Sequence, residues 1–145
     1  ICASEDVSNA DPLALVVATA ASLAVERIGM PESQIILAQA AAYVACAPKS
    51  NSAVSAIAEA MEYVKNEKTA SIPPYLMDAH YSGAKQLGHG IGYLYAHNYK
   101  NHYVKQQYLP DELVGHSFYR LTEMGYEKVL KDYLQKIKEE AEKGQ

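Results

Sequence analysis

The sequence contains no tryptophan and one phenylalanine, so its aromatic character comes almost entirely from 12 tyrosines. A tyrosine buries a ring but keeps a hydroxyl that needs a hydrogen-bond partner. It therefore suits edges and interfaces better than deep cores. This composition favours a domain that places its aromatic rings near its surface.

Cysteine is scarce as well, with only Cys2 and Cys46. Two thiols so far apart offer no disulfide framework, and a reducing compartment is the simplest fit. Cys46 stands in a strongly apolar stretch, which predicts that it is a small buried hydrophobic residue. No run approaches about 18 consecutive apolar residues, so a membrane span is not expected. No secretory signal is recognisable, and because the chain begins without methionine, we interpret it as a piece of a longer protein.

The formal net charge is −4, which argues against a domain that wraps duplex DNA. The charge is uneven along the chain. Residues 1–48 carry five acidic residues and one basic residue, whereas residues 72–109 carry one acidic residue, three lysines and four of the five histidines. An anionic partner would therefore meet the second region.

Periodicity predicts an all-α domain spanning residues 1–145, with four helices. The first begins at Asp11-Pro12 and ends at Gly29; the second runs from Pro31 to Ala47. The third is capped by Ser50 or Asn51, and the last covers about Met124–Lys143. The second helix is apolar nearly all round, so we expect it to be buried on most sides. The last helix is expected to carry two i,i+4 ion pairs, Glu127–Lys131 and Asp132–Lys136.

Residues 70–123 form a long irregular segment rich in tyrosine, histidine and glycine, and such a loop usually has a function or a partner. A short helical turn is predicted near Gly83–Leu87. A small hairpin is predicted between two alternating segments, in which Tyr93, Tyr95 and His97 face Tyr103, Lys105 and Gln107.

Catalytic and cofactor sites find little support in the residue spacing. The five histidines match no standard zinc pattern. The stretch GHGIG (residues 88–92) lacks the third glycine and the preceding strand of a dinucleotide-binding loop, so we interpret its glycines as turn residues. No serine or cysteine stands in a nucleophile motif. We therefore predict no catalytic residue, metal or cofactor in this chain.

Binding of single-stranded nucleic acid remains open, because tyrosines interleaved with lysines and histidines are typical of such surfaces. The alternative is that these rings seal the loop onto the helices. The candidate residues for a DNA or partner contact are Lys85, His89, Tyr93, Tyr95, His97, Lys100 and Lys105.

Several stretches, in this order, resemble the C-terminal half of the MgsA/RarA family of AAA+ ATPases. They are SEDVSNADP (4–12), ERIGMPE (26–32), LAQAAAYVACAPKSN (37–51), DAHYSGAKQLGHGIGYLYAH (78–97) and QQYLP (106–110). One departure is Ser8, where the family usually has glycine. The family includes replication-associated ATPases related to clamp loaders and the Werner-helicase-interacting protein.

The resemblance implies a helical bundle like the clamp-loader collar, which joins ATPase subunits into a homotetramer. It also implies that the ATP and magnesium sites lie upstream, outside this sequence, so the fragment itself would not be an enzyme. The implied partners are further copies of the chain and, through the full-length protein, single-stranded DNA and single-strand-binding protein. The implied location is the bacterial cytoplasm, in association with the nucleoid.

Overall fold

The structure is a computed structural model that describes residues 1–67 and 71–143. Within these residues the chain forms four α-helices, α1 (Leu13–Ile28), α2 (Ser33–Cys46), α3 (Ser52–Asn66) and α4 (Gly125–Lys143), a π-helical turn at Ala3–Val7 and several 3₁₀ turns, and no strand. The all-α prediction is therefore confirmed for the described residues. The likeness to a collar bundle stays a prediction.

The described chain divides into two compact units, which we call unit 1 and unit 2. Unit 1 comprises Ile1–Glu62 and Phe118–Tyr133. Unit 2 comprises Tyr63–Ser117 and Leu134–Gln145. Each unit is built differently, and we describe them in turn.

Helix α1 begins where the sequence predicts, because Asp11 Oδ1 accepts a hydrogen bond from the Leu13 amide at 3.1 Å. The other carboxylate oxygen of Asp11 accepts a hydrogen bond from the Tyr43 hydroxyl of α2 at 2.9 Å. This bond raises the pKa of Tyr43, since it stabilises the protonated phenol. One aspartate thus caps α1 and ties α2 to its start.

Side-chain hydrogen bonds cap both ends of helix α2. The Ser33 hydroxyl donates to Gly29 O at 2.5 Å. At the other end, Lys49 Nζ donates to the carbonyls of Val44 and Ala45, at 3.0 Å each, and to that of Ala47. The last carbonyls of the helix thereby gain partners together with a positive charge, which the helix dipole favours there.

The core of unit 1 is built from small side chains. Its buried cluster consists of Ala3, Val7, Ala14 and Ala47, with Ala18, Tyr43 and Val44 packed against it. Alanines at a helix–helix contact let the two axes approach closely. They also bury little apolar area, and this leaves the larger side chains on the outer faces.

Residues 118–133 complete unit 1. Arg120 donates two hydrogen bonds to the Glu59 carboxylate of α3, at 2.8 and 3.0 Å. Gly125, at the start of α4, has a φ of +51° and lies so close to Ala10 O and Pro48 that an added Cβ would collide with both. Only glycine satisfies both the conformation and the space at this position.

Unit 2 holds its shape through short turns and side-chain hydrogen bonds. The predicted helical turn near Gly83–Leu87 is confirmed as a 3₁₀ turn over Ala84–Leu87. Ala84 and Val104 are its buried anchors in the irregular segment, and Ile137 of α4 is buried as well. Residues 71–123 contain no α-helix, as predicted, while residue 70 lies outside the described residues.

The predicted hairpin over residues 93–107 is wrong. Two 3₁₀ turns, Ala96–Asn98 and Lys100–His102, occupy its centre, and positive φ angles at Asn101 and His102 redirect the backbone. The two segments are joined by a side chain instead. Gln106 Oε1 accepts from Leu94 N at 3.3 Å, and Gln106 Nε2 donates to Leu94 O at 2.9 Å. A single amide thus supplies the pair of bonds that a neighbouring strand would have made.

Two further predictions require correction. Cys46 is exposed rather than buried, because it lies at the end of α2. Helix α2 is covered on one side only by the described residues: Tyr43 and Val44 pack against the core, but Ser33 is the only fully buried residue of this helix, and the Ile35 side chain is 76% exposed.

Candidate functional site

All seven predicted contact residues lie in unit 2, on or beside its 3₁₀ turns. Lys85 belongs to the turn Ala84–Leu87, whereas His97 and Lys100 belong to the two turns of residues 96–102. Six of the seven are exposed, and His89 is half-buried. The segment therefore offers its polar and aromatic side chains to solvent.

Three rings in this segment lie in contact and form what we call the ring cluster: Tyr95, His97 and His102. The ring centroids of Tyr95 and His97 are 5.0 Å apart, and those of His97 and His102 are 4.8 Å apart. The left-handed conformation of His102, with φ +52°, accompanies this arrangement. The ring cluster is an exposed aromatic surface onto which a further flat ring could stack.

Two of the predicted basic residues are neutralised by acidic residues of α4. Lys100 Nζ lies 2.7 Å from Glu140, which also accepts a hydrogen bond from Asn101 at 3.0 Å. These two donors lower the pKa of Glu140. Lys105 Nζ lies 3.5 Å from Glu142. A phosphate that approached either lysine would have to compete with a carboxylate.

His89 forms a separate pair with Tyr81. The Tyr81 hydroxyl lies 2.7 Å from His89 Nδ1, and the two rings meet edge to face with centroids 5.9 Å apart. The structure thus brings Tyr95 and His97 together but engages His89 elsewhere. Across residues 1–67 and 71–143, no group of three or more histidine, cysteine, aspartate or glutamate side chains is arranged to hold a metal ion.

Glu127 in unit 1 is a buried carboxylate that the sequence analysis did not predict. Glu127 is completely buried and accepts hydrogen bonds from Ser50 Oγ at 3.0 Å, from the Ser52 hydroxyl, and from the Thr122 amide and hydroxyl at 2.9 and 2.7 Å. The Tyr119 hydroxyl adds a longer bond of 3.3 Å. One carboxylate therefore joins the starts of α3 and α4 to the segment between them.

The expected Glu127–Lys131 pair is consequently wrong, since Lys131 pairs with Glu123 instead. Burial raises the pKa of Glu127, but the hydrogen bonds from Ser52, Thr122 and Ser50 outweigh this effect, and the net pKa is lowered. The sequence did contain a signal for this network. Ser50 and Ser52 stand at one predicted helix start, and Thr122 precedes Glu127 by five residues at the other, so hydroxyl donors flank both helix starts. This network stabilises the fold, because every donor in it finds a charged acceptor.

Unit 1 also presents large apolar side chains to solvent. On α1 and α2 they include Leu13, Val16, Leu23, Ile28, Ile35 and Leu37. A groove of about 680 Å³ runs between these helices and the N-terminal turn, and its walls are mainly alanine and valine. Soluble monomers rarely expose contiguous apolar patches beyond a few hundred Å², and larger ones mark interaction sites.

None of the helices in the described part of the chain combines the length and the apolar character that a membrane crossing needs.

The chain is similar to a known protein family and to several known proteins. Residues 1–138 match the family described as MgsA AAA+ ATPase C terminal. An uncharacterized AAA domain-containing protein of Mycobacterium tuberculosis is 46% identical over 138 residues, which are 95% of this chain and 30% of that protein. Replication-associated recombination protein A of Bacillus subtilis is 43% identical over 138 residues, covering 94% of this chain and 33% of that protein.

The likeness extends to eukaryotes. ATPase WRNIP1 of Dictyostelium discoideum is 38% identical over 123 residues, which are 83% of this chain and 14% of that protein. The chain spans a third or less of the length of each of these three relatives. Taken together with the match over residues 1–138, these relatives show that the chain belongs to the family of MgsA AAA+ ATPase C-terminal domains.

Proposed function

We propose that this chain is the self-association domain of a replication- and recombination-associated AAA+ ATPase, and that it joins copies of itself into a homotetramer. The domain carries no catalytic residue in this proposal. ATP and magnesium bind upstream, in the part of the protein that the relatives possess beyond this region. The assembled protein acts on DNA at the nucleoid, with single-strand-binding protein as a partner of the full-length chain.

The exposed area of the chain is the observation that carries this proposal. The chain exposes 10541 Å². A folded monomer of 15.9 kDa would expose about 7,400 Å², and two independent units of half that mass about 8,900 Å². The exposed area therefore exceeds these two expected values by roughly 1,600–3,100 Å². In a standard interface each partner buries roughly 800 Å², which is at most half of this excess. The excess is therefore enough for two interfaces per copy.

The chemistry of the exposed area supports the same conclusion. Helix α2 contains no charged residue, and α1 contains only Glu26 and Arg27, at its C-terminal end. Lys and Glu are depleted at interface cores, and large apolar side chains are common there. The outer faces of α1 and α2 have the composition of an interface rather than of a solvated surface.

Light scattering coupled to gel filtration, at micromolar concentration, tests the proposal. We expect a mass about four times the 15.9 kDa of one chain. A particle with the mass of a single chain over the whole concentration range would overturn it. Incubation with ATP and Mg²⁺ should release no phosphate, and turnover by the purified chain would contradict the non-catalytic assignment.

A second candidate function, binding of single-stranded DNA, is favoured by the exposed ring cluster. Base stacking on aromatic side chains is worth about 1–3 kcal/mol per base and tolerates any sequence. The pairing of Lys100 with Glu140 and of Lys105 with Glu142 works against it, because these carboxylates offset the local positive charge. We therefore rank it below self-association.

Fluorescence anisotropy with a labelled oligonucleotide at 50 and 200 mM salt separates the two functions. If DNA stacks on the ring cluster, the double substitution Tyr95→Ala/His97→Ala should abolish binding, whereas the matched Tyr108→Ala, at an exposed tyrosine outside the cluster, should not. An absence of binding at low salt would remove this candidate.

A further inference from the structure

The groove between α1 and α2 has the apolar lining that helix-in-groove recognition requires. Its volume of about 680 Å³ lies within unit 1, and six of its lining residues form two facing rows: Ala18, Ala21, Leu37, Ala40, Ala41 and Val44. Because most of these side chains are small, they leave an open apolar groove between the two helices. Ser22 and Glu26 supply polar groups at one side of the groove.

Helix α4 carries a matching set of apolar anchors. Tyr126, Val129 and Tyr133 are 48%, 56% and 54% exposed, and their spacing of i, i+3 and i+7 places them on one face. Val129 lies about 200° around the helix from the fully buried Glu127, so this face points away from the interior of unit 1. The three side chains therefore form an exposed apolar ridge.

From these two features we infer that the ridge of α4 in one copy docks into the α1–α2 groove of the next copy, which makes the assembly head-to-tail. This inference rests on the proposed self-association and adds the two contacting faces. An i, i+3, i+7 ridge in an apolar groove is a recurrent mode of helix recognition. Each tyrosine combines a large apolar ring with a hydroxyl that needs a partner, and the groove offers both an apolar lining and the polar groups of Ser22 and Glu26.

The surface area agrees with two different faces per copy. A symmetric dimer would use the same face twice and leave the second one exposed. A head-to-tail contact uses both faces of every copy and closes into a ring when the rotation permits. The excess exposed area equals at least two standard half-interfaces, which is the amount that two contacting faces per copy would cover.

Two substitutions block one face each. Ala41→Arg places a long charged side chain in the groove at an exposed position of α2, and Val129→Arg places one in the centre of the ridge. Matched controls introduce the same residue elsewhere on the same helices: Ala42→Arg, about 100° around α2 from Ala41 and outside the groove lining, and Gln135→Arg, on the side of α4 away from the ridge. Circular dichroism verifies that each variant keeps its helix content. If either arginine unfolds the chain, Leu37→Glu and Tyr133→Glu replace the pair.

Mixing the two blocked variants provides the decisive measurement. Each variant alone should have the mass of a single chain, whereas the two controls should assemble like the parent. An equimolar mixture should form a dimer of one copy of each variant, because one intact ridge and one intact groove remain. Its mass should be twice that of either variant, and the dimer should persist at 1 M NaCl because the contact is apolar.

The outcomes separate this inference from the function on which it rests. If the parent chain assembles but the mixture stays monomeric, or if Val129→Arg assembles normally, the head-to-tail contact is overturned and self-association stands. If the parent chain is itself monomeric, self-association and the contact both fall. A dimer in the mixture alone, with monomers in both separate samples, supports the inference.

Discussion

The two units reach order by opposite means. Unit 1 uses long helices whose small side chains pack closely, and it buries a carboxylate among hydroxyl donors. Unit 2 uses short 3₁₀ turns tied by side-chain amides, and all five histidines lie in it. From the sequence, the formal net charge of unit 1 is −5 and that of unit 2 is +1. A segment without long helices or strands can thus be held by a few bonds from side chains to the backbone.

The first prediction concerns one glycine in each unit. Gly125→Ala should lower the free energy of unfolding by about 3 kcal/mol, because it combines a positive φ with a collision against Ala10 and Pro48. Gly92→Ala, at φ +85° with no atom within 4 Å, should cost only about 1 kcal/mol. Urea denaturation followed by circular dichroism measures both. Equal losses would show that the close packing around Gly125 is unimportant.

The second prediction removes the charge of the buried carboxylate. Glu127→Gln should cost about 2 kcal/mol, because an amide replaces an acceptor oxygen that receives charge-assisted hydrogen bonds. The control Glu123→Gln changes an exposed carboxylate and should have a much smaller effect. The same urea titration at pH 7 checks it, and similar losses in the two variants would contradict the role of Glu127.

Acid should act on the same carboxylate. The folded-state pKa of Glu127 is lowered from an ordinary value of 4.5, so its ionisation stabilises the fold above that pH. This stability should be lost as the pH falls from 4.5 through the lowered pKa, where the folded carboxylate takes up its proton. In Glu127→Gln the free energy of unfolding should vary less over that range. Urea titrations between pH 3 and 6 test the difference, and identical pH profiles would refute it.

The third prediction concerns unit 2. Gln106→Ala removes both hydrogen bonds to Leu94 and should reduce the free energy of unfolding by about 1 kcal/mol. Amide hydrogen exchange at Leu94 should accelerate at the same time. Gln86→Ala, at an exposed glutamine, is the control. Unchanged exchange at Leu94 would mean that the Gln106 amide does not hold these two segments together.

The smallest expected effect is a gain in stability from the substitution Ser8→Gly. Ser8 has a φ of +54°, a conformation that glycine adopts at little cost, and it stands where the family resemblance leads one to expect glycine. Ser8→Gly should raise the free energy of unfolding by about 0.5 kcal/mol, since relief of strain is partly offset by the greater freedom of the unfolded chain. Thermal unfolding should show a small rise in Tm, with Ser4→Gly as the control. A fall in Tm would contradict the strain.

Local signals predicted the helices well because each boundary carries its own chemistry. Asp11 and Gly29 bound α1 as expected, and the Ser52 amide donates to Ser50 Oγ at the start of α3, as the cap prediction requires. The failures arose where distant residues decide. Glu127 bonds to Ser50 and Ser52, more than seventy residues away, and not to Lys131 as expected. Helix periodicity carries no information about such distant partners.

The candidate site was predicted less completely. Composition located an exposed aromatic surface, and the structure brings Tyr95 and His97 into contact. It could not foresee that the acidic end of α4 would pair with Lys100 and Lys105, because these partners lie nearly forty residues further along the chain. Nor could it foresee the Tyr81–His89 pair. Whether these residues bind DNA stays a prediction.

The lysine that closes α2 has a consequence for how fully that helix can be dehydrated. A helix end covered by another molecule normally strands carbonyl oxygens away from water, and each stranded group is costly. Lys49 already satisfies the carbonyls of Val44 and Ala45 from within the same chain. A protein partner could therefore cover helix α2 along its length without leaving the carbonyls of Val44 and Ala45 unpaired. The helix itself contains no charged residue that would have to be dehydrated.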